Sequence, residues 1–259
     1  MNTAIIVSKK DLASMNISEC LKTYNLEELN TKLYEVEEES IFSENIDKKI
    51  EADLFIFATR HQSAKEIHSL SCHVPGNWGK AEAGGEDRKL GIAPASYLKE
   101  VFLILNKENT LEGFEVTMEC THHGPYLEKP CFFIEIGSNE EQWTNKVAGN
   151  IIAKVIIEFL KKLKNDEIGN YKTASALGGT HYLATLNKHQ LRSNIAIGHT
   201  CPKHNLQNLD EEMLKQALEK TIPRPDFVLL DWKGLGKEKQ RIIEMLERLN
   251  IEYKRTDKL

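Results

Sequence analysis

No apolar run in this 259-residue sequence approaches the roughly 20 residues of a membrane span; among the longest are residues 54–58 and 227–230. Membrane insertion is therefore not expected. The N-terminus, Met1-Asn-Thr-Ala-Ile-Ile-Val-Ser, has no basic stretch ahead of a long apolar segment, so no secretory signal is expected either. CxxC is absent, and the five cysteines (Cys20, Cys72, Cys120, Cys131, Cys201) are odd in number and scattered. That excludes a disulfide framework and fits a reducing cytoplasm. Basic excess is missing too: 34 Lys+Arg stand against 39 Asp+Glu, a net charge of −5. A protein that grips DNA nonspecifically is usually basic, so DNA is not an expected partner. Repeats, low-complexity tracts and Pro/Gly/Ser-rich linkers are lacking, so one domain over 1–259 is expected, as a monomer. What is present is ordinary for a globular chain, 41% apolar and 28% charged residues. Local charge is uneven, with eight Lys/Arg and five Asp/Glu from 233 onward.

Strand and helix signals alternate along the chain. Residues 3–8, 53–59 and 226–231 are near-continuous apolar or β-branched runs, as expected of strands covered on both faces. Shorter strands are expected at 32–36, 70–74, 114–120, 131–137, 172–177, 194–198 and 251–255. Helices are expected at 12–24, at 94–106 behind Pro94, and at 237–250. The longest should run from the capping box Ser138-Asn-Glu-Glu141 to about 164, with Trp143, Val147 and Ile151 on its inner face. Asn208, with Glu211 three residues on, is expected to cap another. Strands separated by helices imply crossover connections, hence an α/β domain with a mostly parallel, mixed sheet flanked by helices. In such a sheet the site lies at the carboxyl ends of the strands.

Familiar catalytic signatures are also missing. There is no GxSxG elbow and no HExxH. Lys80 is followed by Ala81, which rules out a P-loop, and Lys239 stands where a dinucleotide turn beginning at Gly234 needs its third glycine. Covalent catalysis by Ser or Cys has no signature. What remains is hydrolysis by an activated water using His and Glu, with or without a metal. Six of nine histidines follow apolar runs: His61, His73, His122, His123, His181 and His199. One such residue usually makes a backbone hydrogen bond and no more, but six at strand ends can converge on one rim.

Three segments are the sharpest. In ECTHHGP (119–125), alternation points Thr117, Glu119 and Thr121 to one face, and His122 and His123 should then point apart. In GGTHY (178–182), Gly178 and Gly179 allow a tight turn or close approach to a ligand, with N–H groups able to receive an oxyanion. In GHTCP (198–202), Cys201 is more simply a buried thiol than a zinc ligand. Beyond 231, Lys233 and Lys237 open a helix, a position suited either to phosphate or to a solvated face.

Taken in order, RHQS (60–63), HVPGNWG (73–79), ECTHHGP (119–125), FIEIGSNEEQW (133–143), GGTHY (178–182) and GHTCPK (198–203) resemble the archaeal and plant type of D-aminoacyl-tRNA deacylase over most of the chain. The resemblance implies a fold similar to the peptidyl-tRNA hydrolase and purine nucleoside phosphorylase group. It implies hydrolysis of the ester between a D-amino acid and the terminal ribose of tRNA, and a zinc requirement. Matched by motif, the implied site residues are His61, His73, Glu119, His122, His123, Glu135, His181 and His199. One departure is His204, where the pattern leads to an aromatic residue.

From these readings, Glu119, His122, His123 and His181 are expected to be catalytic. His73, Glu135, Gly178, Gly179, Lys233 and Lys237 are expected to bind substrate. His61, His122, His181 and His199 are expected to hold Zn2+. Glu119 or Glu135 would hold the substrate's amino group. Two other readings stay open on sequence: a hydrolase or phosphorylase acting on nucleosides or small acyl esters, and a noncatalytic RNA-binding module.

Overall fold

The β-branched run Thr3–Ser8 is buried at every position and forms β1, second from one edge of the first sheet, in a computed structural model that describes residues 1–63 and 66–259. Then follow α1 (Leu12–Leu21), β2 (Thr31–Val36), α2 (Ile46–Lys49), β3 (Leu54–Gln62), β4 (Ser69–His73), β5 (Ala93–Pro94), α3 (Ala95–Glu108), β6 (Glu115–Met118) and β7 (Cys131–Ser138). The second half carries α4 (Glu140–Trp143), α5 (Lys146–Lys164), β8 (Lys172–Leu177), α6 (Ala184–Arg192), β9 (Ile195–Cys201), α7 (Glu211–Glu219), β10 (Thr221–Ile222), β11 (Phe227–Leu230), α8 (Lys239–Arg248) and β12 (Tyr253–Arg255).

The fold is mixed α/β, mostly parallel and flanked by helices, as expected, but its strands divide between two main sheets. The first has the order β2-β1-β3-β7-β4-β6 and the second β12-β11-β8-β9, all parallel. In the first sheet β4 runs against β7, and β6 follows β4. The β5–β10 ladder lies between the sheets, where Ala93 N–H donates to the Lys220 carbonyl and Cys131 N–H to that of Ile92. One apolar core runs across both sheets, from Ile5 and Ile56 to Ile197 and Leu229. Burying side chains of this size stabilises by about 1.5–3 kcal/mol each. Among the described residues no helix is long and apolar enough to cross a membrane.

Two expected helix starts move. The helix behind Ser138 breaks into α4 and α5 because Asn145 caps a second start, accepting from the Val147 and Ala148 N–H groups. Asn16 reinforces the break by donating to the Trp143 and Asn145 carbonyls. Val147, expected to face inward, is therefore at an exposed first turn. The cap of α7 is Asp210, which accepts from Met213 N–H, and not Asn208.

Candidate active site

Register alone brings three of the expected residues to one face. Thr59 pairs with Glu135 and His61 with Gly137 across β3–β7; Ser71 pairs with Glu135 and His73 with Phe133 across β7–β4. Side chains alternate along a strand, so His61, Glu135 and His73 share a side of the sheet. Because β4 and β6 run against β3 and β7, the site is assembled from strand ends arriving from both directions.

The segment after β6 supplies the rest and joins the two sheets. Glu119 N–H donates to the Cys72 carbonyl of β4, Cys120 N–H to the His181 carbonyl, and Thr121 N–H to the Thr200 carbonyl of β9. The regular β4–β6 ladder ends at Met118, leaving only an isolated bridge from Pro75 to His122, so the expected alternation does not carry through the two histidines. His123 has φ of 44°, in the left-handed region, and both imidazoles turn to the same site, with ring centroids 4.3 Å apart. Gly124 lets this turn form: a Cβ there would lie 2.2 Å from Gly85 N and 2.7 Å from the Ile41 carbonyl oxygen.

Five imidazoles and two carboxylates result. His73 lies 4.4 Å from His122 and 4.8 Å from His123 between centroids, and His122 lies 4.6 Å from His181. Glu119 Oε2 faces His181 Nε2 at 2.8 Å, His61 Nδ1 at 3.1 Å and His122 Nε2 at 3.6 Å. Glu135 Oε2 lies 3.6 Å from both His61 Nδ1 and His73 Nε2. Both carboxylates are 2% exposed. The centre opens into a cavity of about 720 Å³ lined by His61, His122, His123, Glu135, His181 and Tyr182, with Ile41, Arg60, Ala83 and Thr180 around them.

Charge states divide the group. Burial pulls His61 down, but its pairing with Glu119 and Glu135 outweighs that and raises it to about 11. Burial also opposes ionisation of Glu119, yet hydrogen bonds from His181 and His61 hold it well below the usual carboxylate range. Glu135 is lowered in the same way by His61 and His73. Burial and the neighbouring imidazoles His123 and His73 depress His122 well below 6.5, and burial with His73 takes His123 to about 4. Burial also pulls His73 down, but pairing with Glu135 outweighs that and raises it, so at neutral pH the site holds at least one imidazolium, two carboxylates and at least two neutral imidazoles.

Hydrogen bonds also set the tautomers. With Nδ1–H donating to the Cys120 carbonyl (2.7 Å), neutral His122 keeps its lone pair on Nε2. His123 does the same through the Gly124 carbonyl (2.7 Å), and His73 Nδ1 faces the Val74 carbonyl (3.2 Å). Such outer partners orient imidazoles that ligate metals. Ligand atoms within 4.8 Å of one another occur in His73/His122/His123, Cys120/His122/His181, His61/Glu119/His181 and His73/Glu119/Glu135.

Not every expected residue joins this centre. His199 is fully buried with both nitrogens engaged, Nδ1 with Thr121 Oγ1 (3.2 Å) and Nε2 with the Gly91 carbonyl (2.9 Å). It shares no ligand group with His61, His122 or His181, which corrects its expected metal role. His73 is fully buried beneath the cavity, out of reach of a bulky substrate. The Gly178 N–H, expected to be free for an oxyanion, donates to the Cys201 carbonyl. Lys233 and Lys237 line a second cavity, shared with Gly179 and Thr180. Cys201 is buried and free, as expected of a structural thiol. Sequence reasoning passed over Tyr182, although GGTHY contains it: its hydroxyl meets His61 Nε2 at 2.9 Å. It also missed Asp11, which caps α1 through the Ala13 and Ser14 N–H groups and accepts from Arg60 N–H (2.9 Å) and the Thr59 hydroxyl. That carboxylate ties the end of β3 to the start of α1.

A family model described as D-aminoacyl-tRNA deacylase matches residues 48–254. Relatives named D-aminoacyl-tRNA deacylase include one from Pyrococcus furiosus, 39% identical over 96% of this chain and 98% of its own length. Another from Thermococcus kodakarensis is 37% identical with the same coverage, and one from Methanosarcina acetivorans is 32% identical over 95% of this chain and 90% of its own. A crystal structure of a conserved protein of unknown function superposes with a TM-score of 0.90 at 27% identity, covering 99% of this chain and 96% of that one. A match over most of the chain, together with near-full-length relatives at this identity, places the chain in the D-aminoacyl-tRNA deacylase family.

Proposed function

We propose that this chain hydrolyses the ester linking a D-amino acid to the terminal ribose of tRNA, releasing the free amino acid and tRNA. The observation that carries this reading, within the family, is the open cavity where neutral His122 and His123 meet the Glu119–His61–Glu135 cluster. An aminoacyl ester is an activated acyl group, so the protein's task is to deliver water and stabilise an oxyanion. His122 Nε2 has its lone pair toward the cavity and accepts the proton of the attacking water. Its Nδ1–H bond to the Cys120 carbonyl fixes that tautomer, and ionised Glu119 at 3.6 Å favours the imidazolium that forms. The oxyanion is received by the His61 imidazolium side of the cavity. The Thr180 N–H, which has no acceptor among the described residues, lines the same cavity and assists there, whereas Gly179 opens on the second cavity. Of the two candidate carboxylates for the substrate's amino group, Glu119 is committed to histidines, whereas Glu135 lines the cavity. Chirality is then read by shape, with Ile41 and Ala83 among the walls opposite.

A second reading, favoured by the unpartnered Nε2 of buried His73, assigns zinc to His73, His122 and His123; there the His122 Nε2 lone pair would be a ligand and not the proton acceptor. Their donors fit: each ring has Nδ1 on a backbone carbonyl, and His73 Nε2 is buried with no hydrogen-bond partner. Three imidazoles beside an open cavity suit a catalytic site, where zinc would supply Lewis acidity toward water or carbonyl. The scaffold's likeness to the peptidyl-tRNA hydrolase and purine nucleoside phosphorylase group, a cytoplasmic location and a monomeric state belong to the same reading. The five unpaired cysteines support the reducing compartment.

The test is deacylation of D- and L-tyrosyl-tRNA side by side. Hydrolysis of the D ester with the L ester spared is expected; inertness toward both overturns the reading.

A further inference from the structure

The lysines set apart from the catalytic centre line a cavity of their own, of about 710 Å³. It opens at the carboxyl ends of the second sheet, where β8 leads into Gly178–Gly179, β9 into Lys203 and β11 into Asp231. The chain goes from β8 to β9 on one side and later returns to β11 on the other, so this crevice is the switch point of a parallel sheet, the usual place for a ligand. Gly234 lets two of its walls meet: a Cβ there would lie 2.3 Å from Gly179 N.

Its charge is out of keeping with an acidic chain. Lys203, Lys233 and Lys237 line it, all exposed, and none makes an ion pair among the described residues. Of the two acids there, Glu238 pairs with Arg241 at 2.8 Å, and Asp231 is mostly buried and accepts from Gly234 N–H. His204 closes the rim; burial and the neighbouring His181 both favour its neutral form. The cavity also borders the catalytic one. Thr180 lines both, and His204 shares a third, smaller cavity with His122.

We propose that this crevice holds the phosphodiester backbone of the last nucleotides at the single-stranded 3′ end of the tRNA, so that the terminal ribose lies at Thr180 and its ester enters the catalytic cavity. This rests on the deacylase reading and deepens it by assigning the nucleotide side of the substrate. Three unpaired ammonium groups beside a hydrolytic centre suit a polyanion that must present one end, and each phosphate they neutralise adds salt-sensitive affinity.

The experiment compares wild type, Lys233→Gln/Lys237→Gln and Lys233→Arg/Lys237→Arg on D-tyrosyl-tRNA and on 3′-O-(D-tyrosyl)adenosine, which has the ester but no phosphate. Wild type is expected to prefer the tRNA ester. In the Gln variant, KM for D-tyrosyl-tRNA should rise about tenfold or more with little change in kcat, so that the preference for tRNA over the nucleoside ester collapses. The slope of log(kcat/KM) against log[salt] should flatten by roughly 0.7 for each phosphate no longer neutralised. The Arg variant should keep both the preference and the slope. An unchanged KM and salt slope in the Gln variant overturns the assignment, as does a loss falling equally on both substrates. Wild type inert toward D-tyrosyl-tRNA would instead remove the deacylase reading on which the assignment stands.

Discussion

Replacing Glu119 with Gln tests the electrostatic design of the site. The carboxylate is 2% exposed and accepts from His181 at 2.8 Å and His61 at 3.1 Å. A buried hydrogen bond to a charged group contributes about 1.5–3 kcal/mol. Both bonds fall on Oε2, so the Gln carbonyl oxygen can still accept from both imidazoles but loses the charge for both. Relief of repulsion between Glu119 and Glu135 acts the other way, but the His61 imidazolium faces both carboxylates, so lost pairing prevails. We expect a net cost of about 2 kcal/mol near pH 6. His61 is raised from 6.5 to about 11, so its share of the stabilisation is complete below about pH 6.5 and fades as pH climbs toward 11. Glu119 is lowered below 4.5, so its share is complete above about pH 4.5 and is lost as pH falls through its folded value. The stability gap between wild type and variant should therefore be widest from about pH 4.5 to 6.5 and narrow on both sides. Urea unfolding of both proteins from pH 4 to 10 measures it. A variant as stable as wild type at pH 6, or a gap independent of pH, would refute the reasoning.

His73→Ala should lower bound zinc, measured by elemental mass spectrometry on folded protein, from about one equivalent toward none; undiminished zinc would move the metal to another donor group. With zinc at this site, chelation of the wild type should abolish turnover and added zinc should restore it; full turnover in metal-free protein would leave His122 as the proton acceptor. His199→Gln breaks hydrogen bonds to Thr121 and Gly91 and should cost about 1–3 kcal/mol in unfolding, while the folded fraction keeps its turnover. Gly124→Ala forces a Cβ into the Gly84–Gly85 and Ile41 backbone and should destabilise by at least about 3 kcal/mol; a crystal structure with His122 and His123 undisplaced and an unchanged melting temperature would contradict that.

Much of the fold is written in local pattern. The β-branched run of β1 and the lysine-free run of β3 can only be covered strands, and Pro94 marks the start of α3. Other features depend on partners distant in sequence. The break between α4 and α5 is reinforced by Asn16, 127 and 129 residues from the carbonyls it reaches. β5 and β10 are two residues each and exist through one another. The direction of β4 leaves no trace in a five-residue strand. The same contrast holds in the site. His61, His122, His123 and His181 are legible because each sits beside residues that turn the chain. His199 has the same surroundings in sequence, yet β9 continues through it to Cys201 and holds the ring between the sheets. The two histidines of the THHG turn were expected to diverge by strand alternation; a left-handed residue at His123 brings them together.

The central claim is that the open cavity, through the lone pair of His122, performs the hydrolysis. Single-turnover cleavage of D-tyrosyl-tRNA by His122→Asn, compared with wild type at equal folded fraction by circular dichroism, tests it most directly. A rate at least about 100-fold lower is predicted, the low end of what a positioned proton acceptor contributes. A folded variant that cleaves the ester at the wild-type rate would contradict it.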